Sequence, residues 1–120
     1  MASYLETVLT TACPSFAREW AMLRQTYPSD APPSANGLLV SLRAHVEQCL
    51  GEGRVVEVVR LFYALERLLG EADPVLEELL VSGFVAPLAL ACRAAGLDLR
   101  LVLPHLGPRT RGAWDRALLA

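Results

Sequence analysis

Val55-Val56-Glu57-Val58-Val59-Arg60-Leu61-Phe62-Tyr63-Ala64-Leu65-Glu66-Arg67-Leu68-Leu69 is the stretch that decides the fold. At about 100° per residue, Glu57, Arg60, Arg67 and the following Glu71 fall in one arc roughly 80° wide. The rest of the wheel is apolar except Glu66, which points to the opposite side. A helix so apolar belongs in the middle of a bundle. The expected fold is therefore all-α: a compact array of five to seven short helices around a central buried helix, with α-solenoid-like stacking as a variant.

Outward from this segment the punctuation is helical. Ser3 to Ala12 forms a first helix, and Cys13-Pro14 interrupts it. Pro14 suits the first position of a second helix running to about Gln25, with Phe16, Trp20 and Leu23 on one face. Tyr27 to Gly37 carries three prolines and reads as the one long, exposed loop. Leu38 to Leu50 is a third helix, closed by Gly51-Glu52-Gly53.

After the central helix, Asp73-Pro74 is an N-cap followed by a first-turn proline. That pattern continues to Ala95, but Gly83 and Pro87 predict a kink or break. Leu97 to Leu103 alternates like a strand without a partner strand, so a short helical or extended connector is expected. Gly107-Pro108 opens the last helix, which runs to about Leu119.

The chain has 120 residues and reads as one domain, residues 1–120. Its longest uninterrupted apolar run, Phe84 to Cys92, is nine residues, short of the roughly 18 to 20 that span a bilayer. The N-terminus lacks the basic start of a signal peptide. The expectation is a cytoplasmic protein without a membrane role. All 11 basic residues are Arg, which suggests a GC-rich bacterial genome. Net charge is −2 with no basic run, so no nucleic-acid footprint is visible.

Cys13, Cys49 and Cys92 lack the close spacing of metal pairs, and Cys49 and Cys92 lie among apolar helical positions. His45 and His105 are the only histidines, too few for a zinc site without further ligands. No catalytic, metal or cofactor residues are assigned, and the chain is not expected to be an enzyme. His45 reads as a buried, hydrogen-bonded polar residue beside Ser41 and Gln48. Glu66 must be paired or hydrogen-bonded if it is buried. An Arg, a His or backbone N–H groups are its expected partners. Trp114 should dock while Arg111 and Asp115 pair on the rim of the last helix.

Several segments together resemble a family of short bacterial helical proteins labelled only as a domain of unknown function. They are Cys13-Pro14-Ser15-Phe16 with Trp20, His45, Glu66-Arg67-Leu68-Leu69 with Asp73, Gly83-Phe84, and Gly107-Pro108 with Arg111, Ala113, Trp114 and Asp115. The resemblance runs from Cys13 to the C-terminus. The chain departs from that pattern at Arg109 and Arg116, where acidic residues are usual, and at Gly112, where Arg is usual. It implies an all-helical fold and no activity.

The functional expectation is a protein-binding module, in its most concrete form an immunity or antitoxin-like protein that neutralises a toxin. The alternative is a structural or regulatory adaptor acting as a homodimer, so monomer and homodimer both stay open. Candidate partner-binding residues are Arg109, Arg111 and Arg116 on the last helix, and Tyr27 and Asp30 in the loop. Trp and Arg near a rim are hot-spot residue types.

Overall fold

The computed structural model describes residues 2–28, 30–31 and 33–119. Six helices account for the architecture: α1 (Ala2–Ala12), α2 (Pro14–Arg24), α3 (Ala35–Gly51), α4 (Val56–Glu71), α5 (Pro74–Ala95) and α6 (Pro108–Leu119). No strand occurs among the described residues. Leu97 to Leu103 is a turn-rich connector that ends in a single 3₁₀ turn, Leu103–His105.

Local chemistry sets each boundary. Pro14 pushes Cys13 out of the helical region, to φ −129° and ψ 78°, and so separates α1 from α2. Ser34 caps α3, its hydroxyl accepting from the Gly37 N–H at 3.1 Å. That cap starts α3 three residues before Leu38 and shortens the expected Tyr27–Gly37 loop. Ser29 and Pro32 of that loop lie outside the described residues. The connector from Gly96 to Gly107 is a second stretch without α-helix, so the loop is not the only long one. Asp73 caps α5 through the Leu76 N–H at 2.8 Å. Gly96 ends α5 at φ 62°, the left-handed conformation that glycine adopts without a Cβ penalty.

The interruption expected near Pro87 is resolved without a break. Val81–Val85 forms one π turn, with the Ala86 N–H bonding to the Val81 carbonyl, and the helix continues. Pro87 leaves the carbonyl of Gly83 without its usual helical donor. The Arg43 guanidinium approaches that oxygen at 3.5 Å. By length and composition alone α5 is long and apolar enough to cross a membrane, with a mean hydropathy of 1.8 in its most apolar window. Its Leu80, Phe84, Val85, Leu88, Ala89 and Cys92 are buried in the core.

The core runs through all six helices. Phe16, Phe62 and Phe84 are its largest fully enclosed side chains, and Trp114 meets Phe62 edge-on at 6.2 Å. α4 supplies Val58, Leu61, Phe62, Leu65 and Leu68. It packs against α1 on one side and α6 on another. α4 is not enclosed all round, however. Val56, Arg60, Tyr63, Arg67 and Gly70 form an open face, so Tyr63, at 57 % exposed, and Val56 lie in solvent rather than core.

Candidate functional site

Four of the five charged side chains of α4 divide into two pairs with different roles; the fifth, Glu71, accepts from the Tyr4 hydroxyl at 3.5 Å. Glu57 accepts the Ser15 backbone N–H at 2.8 Å and thereby caps the first turn of α2. That N–H holds the Glu57 carboxyl below its ordinary value, against the opposing effect of burial. Glu66 does the same for α6. Its Oε1 accepts the Thr110 N–H and the Thr110 hydroxyl, each at 2.9 Å. Its Oε2 accepts the Arg109 N–H at 3.2 Å, and the Arg109 guanidinium lies 3.5 Å away. Burial raises the Glu66 pKa, yet these donors together outweigh it and hold the carboxyl below its usual value.

α6 begins at Gly107-Pro108, a start with no local side chain to cap it, so Glu66 supplies the acceptor from across the fold. Gly107 makes the approach possible: a Cβ there would stand 2.6 Å from Glu66 Oε1 and closer still to Cγ and Cδ. Glu66 is 18 % exposed, a half-buried clasp of the kind expected. At the other end of α6, the Arg93 guanidinium donates to the Leu118 carbonyl at 3.0 Å.

The other pair, Arg60 and Arg67, has no carboxylate within bonding distance among the described residues. With Tyr63 between them they line a groove of about 420 Å³ between α1 and α4, together with Val8, Thr11, Ala12 and Ala64. The Tyr63 hydroxyl is held at 2.9 Å by His105 Nδ1.

A second polar cluster centres on His45, which is 5 % exposed. Ser15 and Glu19 are one turn apart on α2, and the imidazole reaches between them from α3. Its Nε2 lies 2.8 Å from Ser15 Oγ and its Nδ1 2.6 Å from Glu19 Oε2. The partners come from α2, not from Ser41 and Gln48 beside it on its own helix. The Glu19 carboxylate accepts from Nδ1–H, and Nε2 faces the Ser15 hydroxyl. Burial pushes the neighbouring Cys13 thiol up to about 11 and the Cys92 thiol to about 11, and raises Cys49 as well. All three stay thiols, and Cys49 does not pair with His45.

The arginines singled out on the last helix do not form one free positive edge. Arg109 leans on Glu66, and Arg111 Nε pairs with Asp115 at 3.1 Å, as its spacing indicates. Arg116 shares a groove with Arg109 and Glu77. Glu66 of α4 and Asp115 of α6 itself offset Arg109 and Arg111, while Arg116 has no ion-pair partner among the described residues. Tyr27 and Asp30 are exposed. Trp114 is buried. Among the described residues no group of three or more His, Cys, Asp or Glu is placed to hold a metal ion.

Helical spacing already put Arg60 and Arg67 together on α4, but their freedom from partners could not be read from it. The Ser15–His45–Glu19 cluster left one local trace, the one-turn spacing of Ser15 and Glu19.

No curated protein and no solved structure matches this chain. A family model matches residues 7–120, nearly the whole described fold, including both clasps and the His45 cluster. The chain belongs to the family described as a domain of unknown function, DUF7674.

Proposed function

We propose that the chain is a protein-binding module whose recognition surface is the groove between α1 and α4. One observation carries this reading: Arg60 and Arg67 flank the exposed Tyr63 on α4, a helix packed on both α1 and α6, and neither arginine has an ion-pair partner among the described residues. Arg and Tyr are the residue types that dominate binding hot spots. Placed on a helix with core contacts on its other faces, they are presented without much ordering cost. In a protein of net charge −2 they make a local positive stripe, suited to an acidic segment of a partner.

The finer reading is an immunity or antitoxin-like role, in which this surface covers an acidic region of a toxin. Its support is a small helical scaffold with a rigid charged face. Three buried, unpaired cysteines favour a reducing compartment and so a cytoplasmic site of action.

The test is co-expression with the product of the adjacent gene, followed by association kinetics at two ionic strengths. The variant Arg60→Glu/Arg67→Glu should keep the wild-type melting temperature and associate at least about tenfold more slowly, the deficit shrinking in high salt. The control Arg109→Glu/Arg116→Glu should change association less. Equal binding by the first variant and wild type would remove the α1–α4 groove as the surface. Absence of binding by the wild-type chain would remove the neutralising role toward that product.

A further inference from the structure

We propose that Ser15 is an acylatable nucleophile, with His45 as its general base and Glu19 as the residue that positions the base, acting on small activated carboxylic esters. The inference goes beyond partner binding and rests on a different cluster, which shares only Arg60 with the α1–α4 groove. Nucleophile, base and orienting group form a continuous chain, Ser15 Oγ to His45 Nε2 at 2.8 Å and His45 Nδ1 to Glu19 Oε2 at 2.6 Å. That is the constellation by which a serine hydroxyl is activated. Both His45 nitrogens are engaged, so the orientation of the ring is fixed. The ring is also packed on Phe16, with centroids 5.6 Å apart.

Ser15 opens onto a cavity of about 400 Å³, with Cys49, Arg54, Val56, Glu57 and Arg60 among its other walls. The cavity admits a small ester, and the hydroxyl is only half-buried. Competing nucleophiles are weak, since Cys13, 3.9 Å from Ser15 Oγ, and Cys49 are both held as thiols. The Ser15 N–H is already given to Glu57. Negative charge developing on the ester carbonyl oxygen must therefore be met from the arginine wall of the cavity. Arg54 is engaged by Glu52, whereas Arg60, on the same wall, has no ion-pair partner among the described residues. Without a backbone oxyanion hole the chemistry is confined to esters with good leaving groups, and amides are excluded.

In the first step Ser15 Oγ bonds to the carbonyl carbon, its proton passes to His45 Nε2, and the C–O bond to the leaving alcohol breaks as that alcohol takes the proton. Water then attacks the acyl-serine with the same base. The carboxylic acid is released and the Ser15 hydroxyl restored.

The experiment treats the intact chain with a fluorophosphonate probe, maps the adduct by peptide mass spectrometry, and follows p-nitrophenyl acetate turnover in parallel. Wild type should carry the adduct on Ser15 and lose reactivity when heat-denatured. Ser15→Ala should not react. Glu19, on the open side of the cluster, permits a milder variant. Glu19→Gln should keep the wild-type melting temperature and KM for the ester while acylation slows by at least about tenfold. An unlabelled wild type, an adduct on another residue, or Glu19→Gln reacting at the wild-type rate would each overturn the proposal.

Discussion

Glu57 and Glu66 stand nine residues apart on α4, about 180° around the helix, and each caps the N-terminus of a different helix. Both receiving helices begin with proline, Pro14 in α2 and Pro108 in α6. A proline start fixes the first φ but brings no acceptor for the N–H groups that follow. α4 supplies those acceptors from opposite faces and so ties the N-terminal turns of α2 and α6 to itself.

Gly107 and Glu66 form one unit. Gly107→Ala should cost about 2 to 3 kcal/mol, because the new methyl displaces the carboxylate from the Thr110 and Arg109 donors and leaves them unpaired. In Glu66→Ala, which already lacks the carboxylate, the same change should cost much less. A double-mutant cycle by urea unfolding checks the coupling.

Glu66→Gln should be tolerated better than Glu66→Leu. The amide oxygen can still accept from Thr110, while its NH₂ group faces the Arg109 N–H and loses that contact. Losses of about 1 kcal/mol for Gln and about 3 kcal/mol for Leu are expected, read as shifts in denaturant midpoint.

Acid should loosen the fold through these two carboxylates. Both have a folded pKa below the ordinary value of 4.5. Their stabilisation is therefore complete above the unfolded pKa and is lost as pH falls from about 4.5 through the lower folded values. Melting temperature should be flat with respect to these groups from pH 7 to 5 and fall below that. In Glu57→Gln/Glu66→Gln the decline should be shallower.

Phe62→Ala should cost about 3 to 5 kcal/mol, since Phe62 is 0 % exposed and supports the Trp114 ring. A calorimetric drop of only a degree or two would contradict the position of α4 in the core.

How much of this was legible in the sequence follows from the range of each interaction. Apolar period and punctuation, both local, indicate α4, the Pro14 and Pro108 starts and the Gly96 stop. The burial of Phe62 and Leu65 follows from the same wheel. Glu66 announces a partner because a carboxylate on an apolar face needs one, but Thr110 is 44 residues away and no spacing rule reaches it. Glu57 gives no such warning, since its position in the polar arc is equally that of a solvated acid. The Ser15–His45 bond spans 30 residues and depends on how α2 crosses α3. Exposure of Tyr63 and Val56 depends on where α1 stops covering α4. At Pro87 the disruption was legible, but the π turn that absorbs it was not.

The central claim is that α4 divides its charges, with Glu57 and Glu66 committed to holding the fold and Arg60 and Arg67 left free for a partner. Thermal melts of Glu57→Gln, Glu66→Gln, Arg60→Gln and Arg67→Gln at neutral pH test that division directly. The two glutamate variants should each melt about 3 to 6 °C below wild type, and the two arginine variants within about 1 °C of it. Equal losses at all four positions, or larger losses for the arginines, would contradict it.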